Sequence, residues 1–227
     1  FRVPYTTTSV VSYPFPPRTA ISGLLGAILG LEKESYEDVF SEENSKVSLL
    51  ILSRIRKIRM GLNLINTKEG LGLGEVSKKG KPSRVQIPFE FLKDPRYRIY
   101  VWLSDASLFK KLEEFLRTHT SIYTPYLGVA SAICDFRFVG KFKAENKKSE
   151  NVVIHSVIPK KYIGSVILEN DKKYQVIKRL PHHITNSREI TQFEDFLYEA
   201  DGKTIKLKAA DYFEVDVNGE RQNIIFY

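Results

Sequence analysis

The longest mostly apolar stretch of the chain runs only from Ile21 to Leu31. A membrane-spanning helix needs about 20 such residues, so this stretch is too short to cross a bilayer. Pro17 precedes it, where proline tolerates the first turn of a helix, and small residues recur on closely spaced turns. The sequence therefore predicts a tightly packed, buried helix in a globular protein, and no membrane partner.

The amino-acid composition further restricts the class of protein. The 227 residues exceed the roughly 150 of a typical domain, and the hydrophobic share of 42% is a globular value. Cys134 is the only cysteine, which excludes an internal disulfide and every multi-cysteine zinc or iron–sulfur site. We therefore expect a reducing, cytoplasmic compartment and neither a cofactor nor a metal site.

Basic charge is concentrated in the middle of the chain. The net charge is +8, yet residues 46–98 alone carry +9, because 13 lysines and arginines there face only four acids. The stretch 189–220 is acidic, at −6. A concentrated positive field attracts polyanions, of which nucleic acid is the commonest. A solvated, lysine-rich surface of a thermostable protein is the alternative that charge alone leaves open.

Residues 68–82 (KEGLGLGEVSKKGKP) have too few large apolar side chains to be core. Their alternating glycines resemble a phosphate-binding loop, but no Gly-Lys-Ser/Thr follows and the last glycine of a dinucleotide fingerprint is missing. Because glycine tolerates unusual backbone angles, a flexible hairpin at about residues 68–88 that projects from the sheet fits better. Its solvated cations are Lys78, Lys79, Lys81 and Arg84.

The order of predicted elements gives a fold class. The chain begins with a strand and the helix after Pro17. One long strand with a basic face (VSLLILSRIRKIRMGLNLINT) leads into the hairpin. The strand YRIYVWL, a helix with Asp105 as N-cap and the strand ICDFRFVGKF then follow. This is the β-α-β-β-α-β pattern of ferredoxin-like, RRM-like domains, so we predict an α+β fold over residues 1–143. A polar link (AENKKSEN) then leads to a small β-rich carboxyl-terminal lobe, residues 144–227.

Four segments together resemble the CRISPR-associated protein 5 family: YTTTSVVSYPFPPRTAISGLLGAILGLE, MGLNLINTK, DPRYRIYVWL and TPYLGVASAI. The first is the most specific, because an aromatic residue, a triple Thr, SYPFPPRT and a glycine-rich helix rarely occur together. The resemblance implies a RAMP-superfamily protein whose ferredoxin-like domain carries a hairpin thumb. It further implies a noncatalytic subunit that caps the 5′ handle of the guide RNA (crRNA) in a type I surveillance (Cascade) complex, in antiviral defence. Since family members begin with a longer first strand, we expect that strand to be cut short at Phe1.

RNA-binding residues are expected in the loop before the first helix, at the start of that helix, in the basic strand and in the hairpin. Hydroxyls and free N–H groups suit phosphates and 2′-hydroxyls, although ordinary helix capping explains the helix start equally well. The expected set is Tyr5, Thr6, Thr7, Thr8, Arg18, Ser22, Arg54, Arg56, Lys57, Arg59, Lys78, Lys79, Lys81 and Arg84.

Protein contacts are expected elsewhere. The apolar loop TPYLGVAS, through Tyr126, Leu127 and Gly128, and the acidic carboxyl-terminal lobe are expected to touch other subunits, because an acidic surface repels phosphate. The resemblance implies that these neighbours are the backbone and large subunits of the complex, with target DNA as an indirect partner.

The resemblance also raises a catalytic alternative. One branch of the family cuts precursor guide RNA without metal, using Tyr, Lys and His with an adjacent Lys-His pair. None of the four histidines here follows a lysine, so we expect no catalytic residue. The alternative is a metal-independent endoribonuclease with His119 and Tyr123 as general acid and base.

The other polar clusters favour structural roles. His119 closes a helix, His155 lies in a strand, and His182-His183 are interpreted as part of a turn whose two side chains point apart. Glu113-Glu114 and Glu194-Asp195 are interpreted as solvated helix faces, without the partner motif of a two-metal nuclease.

Overall fold

The computed structural model describes residues 1–4, 10–32, 35–65, 84–185, 187 and 189–227. The fold is mixed α/β, with many strands and few helices. The elements are α1 (Arg18–Leu29), α2 (Tyr36–Val39), β1 (Ser45–Ile51), β2 (Lys57–Ile65), β3 (Arg84–Leu92), β4 (Tyr97–Leu103), α3 (Ala106–Arg117), β5 (Ala144–Ile154), β6 (Ile158–Pro159), a 3₁₀ turn (Lys160–Ser165), β7 (Val166–Ile167), β8 (Tyr174–Ile184), β9 (Ile190–Glu199), β10 (Ile205–Val217) and β11 (Glu220–Ile224).

Both long helices confirm their predictions. In α1 the apolar residues fall on one face and are buried, and a Cβ at Gly26 would lie 3.1 Å from Tyr36 Cβ, so the small residue permits close packing with α2. Asp105 caps α3, because its Oδ1 accepts from the amides of Ser107 (2.8 Å) and Leu108 (2.9 Å). Together the helices cover one side of the core.

The predicted long strand is wrong in one respect, because it is two strands. β1 pairs with β4 along its whole length, whereas β2 pairs only with β3 and forms a separate hairpin. The chain leaves the first ladder at Leu52, and the Ile55 amide donates instead to the Ala200 carbonyl (2.8 Å) in the carboxyl-terminal half. The hairpin therefore begins at Lys57, well before residue 68.

The ferredoxin-like arrangement is not confirmed. Before α1, the described residues form only single bridges, Arg2 with Ser12 and Val10 with Phe89. Residues 133–142 show the predicted alternation of exposed and half-buried side chains, but within the described chain they join a neighbour only through the bridge from Ile133 to Tyr126. Two of the four strands expected in that sheet therefore lack a ladder.

The predicted polar link is also wrong, because it opens β5. This strand pairs with β10 from Ala144 opposite Val215 to Ile154 opposite Ile205. Cross-strand ion pairs, such as Lys147 with Glu214, let a strand with one solvated face be rich in charge. A second sheet has the order β6-β9-β8, so the β-rich character of this half is confirmed.

One core cluster joins both halves of the chain. Phe15 meets Phe196 and Tyr198 edge to face, with ring centroids 6.0 and 5.5 Å apart. The edge of β1 that faces away from β4 also contacts the carboxyl-terminal half, since the Leu49 carbonyl accepts from the Val157 amide at 2.9 Å. The predicted boundary at residue 143 thus falls where β5 begins, and the core extends across it.

Candidate nucleic-acid interface

The segment before α1 is attached to the base of the β2–β3 hairpin by a network around Glu90. The Ser12 amide donates to Glu90 Oε1 (3.1 Å), and Lys57 Nζ donates both to the same oxygen (2.8 Å) and to the Ser12 carbonyl (2.7 Å). Backbone hydrogen bonds link Val10 to Pro88 and Glu90. The chain that follows Tyr5–Thr8 is therefore fixed against the hairpin.

The Glu90 carboxyl is held in its ionised form. Burial by itself would raise its pKa, but hydrogen bonds from Lys57 and the Ser12 amide, together with the charges of Lys57 and Arg59, bring the pKa below its ordinary value of 4.5. Lys57 is thus part of a structural ion pair. Glu90 was not among the residues predicted from the sequence, although a single carboxylate in the otherwise apolar run IPFEFL was a signal for such a role.

We expect Glu90→Gln to loosen the attachment of this segment. The variant should lose protection of the Ser12 amide from hydrogen exchange by about tenfold, because a neutral amide accepts more weakly from Lys57 and from the backbone. Since the folded-state pKa is depressed, the protection in the wild type should be present above the unfolded-state pKa and disappear as the pH falls through the folded-state value, below 4.5.

Asp94→Asn is the matched control, because it also neutralises an ion-paired carboxylate near the hairpin, 3.4 Å from Arg56, but one that is well exposed. The measurement is amide exchange followed by NMR across a pH series. Equal Ser12 protection in the wild type and Glu90→Gln would show that the network does not hold the segment.

The hairpin has two different faces. Because cross-strand partners share a face, the alternation of β2 and β3 gives the hairpin one wholly apolar face and one mainly polar face, on which Ile65 lies opposite Arg84. The polar face includes Arg59, Asn63, Arg84 and Gln86. The apolar face consists of Ile58, Met60, Leu62, Leu64, Val85, Ile87, Phe89 and Phe91, all of them exposed or partly exposed.

The basic residues predicted in the strand differ in their availability. Arg54 Nε lies 3.2 Å from Asp201 Oδ1, and Arg56 pairs with Asp94, so both guanidinium groups face a carboxylate. Arg59 and Arg84 are exposed, and neither forms a salt bridge with a described residue, although Arg59 lies opposite Glu90 in the ladder and its charge acts on that carboxyl. Lys78, Lys79 and Lys81 lie outside the described residues.

The helix start does not have the predicted role. Arg18 is 2% exposed, and its Nη2 lies 2.8–3.2 Å from the carbonyls of Phe40, Ser41 and Ser45 and from the Ser45 hydroxyl, while Nη1 donates to the Tyr227 carbonyl. Ser22 is also buried and donates to the Arg18 carbonyl. This placement commits the donors of both side chains to the fold itself, although Arg18 also lines part of a cleft.

The remaining residues of this predicted group are Tyr5, Thr6, Thr7 and Thr8, and they lie outside the described residues.

The predicted interface loop presents apolar side chains to solvent. Tyr126 is 48% exposed and Leu127 half-buried, and the loop is closed by the Leu127 amide donating to the Ala132 carbonyl (2.8 Å). Gly128 has φ +83, and a Cβ there would lie 3.2 Å from the Phe1 nitrogen, so this turn needs glycine. Large apolar side chains at Ile122, Tyr123 and Ile133 extend the exposed surface.

His119 and Tyr123, the acid and base of the catalytic alternative, make separate contacts. The His119 ring stacks on Phe136 with centroids 4.7 Å apart, and its Nε2 lies 3.1 Å from Asp135 Oδ1. Tyr123 is exposed and its amide donates to the Ala27 carbonyl. Within the described chain, no hydrogen bond joins the two side chains.

The other histidines are committed to the fold. His155 Nδ1 accepts from the Asn223 amide (3.0 Å), and burial lowers the pKa of His155. His182 and His183 lie in β8 rather than in the predicted turn, and their side chains point apart as expected: His182 Nε2 lies 2.8 Å from Glu42, and His183 Nδ1 lies 2.8 Å from the Thr191 hydroxyl. Burial and the charge of Arg18 lower the pKa of His182, and the Glu42 carboxylate opposes this shift.

The carboxylate clusters give mixed results. Glu113-Glu114 lie on helix α3 as predicted, whereas Glu194-Asp195 lie in strand β9, so their assignment to a helix is wrong. Across the residues that the structure describes, no group of three or more His, Cys, Asp or Glu side chains is arranged to hold a metal ion. None of the helices described there has both the length and the apolar character to cross a membrane.

Comparison with known proteins identifies the class to which this strand-rich α/β chain with a two-faced basic hairpin corresponds. The family model of the CRISPR-associated protein (Cas_Cas5) matches residues 1–194. The chain therefore belongs to this family of CRISPR-associated proteins, and the resemblance seen in the sequence is confirmed.

Two solved structures are similar to this chain. A chain of a CRISPR RNA-guided surveillance complex has a TM-score of 0.47 and 12% identity, with coverage of 98% of this chain and 86% of that chain. A CRISPR protein from Archaeoglobus fulgidus has a TM-score of 0.43 and 15% identity, with coverage of 96% and 90%. No curated protein sequence matches the chain.

Proposed function

We propose that this chain is a noncatalytic guide-RNA-binding subunit of a type I surveillance (Cascade) complex, gripping the 5′ handle of the crRNA. The observation that carries the proposal is the polar face of the hairpin, where Arg59 and Arg84 are exposed and unpaired with described residues. The same hairpin anchors the segment that follows Tyr5–Thr8. Family membership supports this role.

Arg54 and Arg56 fit the proposal as secondary contacts. Their side chains are 66% and 53% exposed, and exposed ion pairs contribute only about 0–1 kcal/mol. A phosphate, with stronger bidentate hydrogen bonding to a guanidinium, can therefore replace Asp201 or Asp94 at small cost. Lys57 is left out of this set, because moving it would break the network around Glu90.

The proposed partners besides crRNA are the backbone and large subunits of the complex, with target DNA contacted indirectly. The exposed apolar side chains around Tyr126 support a protein contact there, because contiguous apolar patches mark interaction sites. The proposal places the complex in the cytoplasm, and the ferredoxin-like pattern of the amino-terminal half stays a prediction.

The experiment is to isolate the tagged chain from cells that carry the CRISPR locus and to sequence the RNA that comes with it. The expected result is a population of RNAs that share one repeat-derived 5′ end, together with the other subunits. Recovery of RNA without that common end, in a preparation that contains the other subunits, would contradict the proposal.

We expect no precursor cleavage by the purified chain. Metal-free cleavage needs a base for the 2′-hydroxyl and an acid for the leaving oxygen, both within hydrogen-bond reach. Single substitutions of His119, His155, His182 and His183 should therefore leave guide processing in cells intact, provided that the variant folds. Precursor cleavage in EDTA that is lost in His119→Ala would establish the endoribonuclease instead.

A further inference from the structure

A cleft of about 390 Å³ lies between the starts of α1 and β1, the 3₁₀ turn, strands β8 to β10 and residues 226–227, with Arg18 and Glu42 in its lining. Its volume is within the range of small-molecule sites, about 300–1,000 Å³. None of the described residues that line it belongs to β2 or β3. It is therefore a second candidate site, separate from the RNA-binding surface proposed above.

Two cations at the cleft have no carboxylate partner among the described residues. Lys46 Nζ lies 5.5 Å from the centroid of the Trp102 ring and 5.6 Å from that of Phe213, and Lys161 Nζ lies 4.9 Å from that of Tyr162. Both lysines are exposed. Lys160, the neighbour of Lys161 in the chain, lies 3.8 Å from Asp195, whereas Lys46 and Lys161 are available for an anion.

The acids in the lining are already engaged. Glu42 lies 2.8 Å from His182 Nε2, and Glu194 Oε1 accepts from the Lys160 amide at 3.1 Å. Glu42 is 51% exposed, so it keeps acceptor capacity toward the cleft. These carboxylates exclude a polyanion along the whole cleft and confine the anionic part of a ligand to the lysines.

The wall of the cleft beside Lys46 is aromatic. Phe213 and Phe226 pack edge to face with centroids 5.0 Å apart, and both are only half-buried. Gln192 adds an exposed amide that can donate and accept. A flat aromatic ring with polar edges can stack on these side chains, because stacking of a base on an aromatic ring contributes about 1–3 kcal/mol.

We propose that this cleft binds a single nucleotide, with its base against Phe213 and Phe226 and its phosphate at Lys46 and Lys161. The geometry places cations, acceptors and apolar rings in one cavity of the right size. The same chemistry is offered by a free nucleoside monophosphate and by a nucleotide unit of an RNA strand.

The test measures binding of AMP, CMP, GMP and UMP to the full chain by calorimetry and by the fluorescence of Trp102, the single tryptophan, which neighbours Lys46. We expect at least one nucleotide to bind with a dissociation constant on the order of 0.1–1 mM, and adenosine or inorganic phosphate alone to bind about tenfold more weakly. No saturable binding of any nucleotide, or phosphate alone binding as tightly, would overturn the proposal.

The variant Lys46→Glu/Lys161→Glu should weaken nucleotide binding by about tenfold or more. Lys110→Glu/Lys208→Glu is the matched control, because it makes the same charge change at two exposed lysines outside the cleft and should change binding by less than about twofold. Equal losses in the two variants would overturn the proposal. All four sites are on the surface, and thermal melting confirms that each variant is folded.

Competition identifies the source of the nucleotide. If the ligand is a unit of RNA, a single-stranded RNA should displace the bound mononucleotide, and Lys46→Glu/Lys161→Glu should weaken RNA binding more than its control does. If the ligand is a free nucleotide, RNA and mononucleotide should bind together. The cleft variant leaves the hairpin unchanged, and hairpin variants leave the cleft unchanged. RNA binding by hairpin variants therefore tests the proposed function separately from this proposal.

Discussion

Replacing Lys78, Lys79, Lys81 and Arg84 together with alanine is expected to weaken binding of single-stranded, repeat-derived RNA by on the order of 100-fold at about 0.1 M salt. Each phosphate contact on a single strand contributes a slope of about −0.7 to the dependence of log affinity on log salt. Losing four contacts should therefore flatten that slope by up to roughly 2 to 3 units. The measurement is fluorescence anisotropy over a salt series.

The matched control removes three lysines and one arginine elsewhere, at Lys110, Lys206, Lys208 and Arg221. It lowers the net charge by the same amount, so it separates local contacts from the overall field. We expect the control to keep the wild-type slope. Parallel slopes for the hairpin variant and the wild type would show that the hairpin does not contact phosphate.

Arg18→Met is expected to have the largest effect on stability, a loss of about 3–5 kcal/mol in the free energy of unfolding. The guanidinium joins the start of α1 to Phe40, Ser41 and Ser45, and through Nη1 to Tyr227. Without it, the buried carbonyl oxygens of Phe40 and Ser45 lose their donor, and each such group costs about 1–3 kcal/mol, whereas the Ser41 carbonyl keeps the Ser45 amide (2.9 Å). Chemical denaturation followed by circular dichroism measures the change.

Three further variants make this prediction specific. Arg18→Lys should not rescue stability, because one ammonium cannot reach oxygens spread around a planar fork. Ser45→Ala, which removes the hydroxyl that accepts from Arg18 and donates to the Ser41 carbonyl, should cost about 1 kcal/mol and gives a result even where Arg18→Met does not fold. Arg96→Met, at an exposed arginine, should change stability by less than about 0.5 kcal/mol. An Arg18→Met protein within about 1 kcal/mol of the wild type would contradict the structural role.

Arg18 shows why the amino-terminal site could not be predicted from sequence. An arginine at a helix start reads equally well as an anion-binding group or as a buried donor. The choice depends on which carbonyls the rest of the chain brings near it, and here they come from positions as distant as 40, 45 and 227. Local sequence carries no information on such contacts.

The prediction that the polar run AENKKSEN is a linker was wrong for a related reason. Composition favours a linker, but β10 supplies a partner strand with charges at matching positions, and pairing then outweighs local propensity. The prediction of a strand at ICDFRFVGKF differs from the structure in the opposite sense. Its alternating side chains are those of a strand, yet no described neighbour aligns a ladder with it.

What the sequence determined by itself are the features set by neighbouring residues: the buried helix after Pro17, the Asp105 cap, the basic middle segment and the family. Each depends on short-range periodicity, capping or charge density, and these are written in consecutive residues. The tertiary structure alone decided which cations stay free. Lys57 is bound by Glu90 and Ser12 and Arg18 lies inside the core, whereas Arg59 and Arg84 remain exposed, because pairing depends on contacts between residues far apart in the chain.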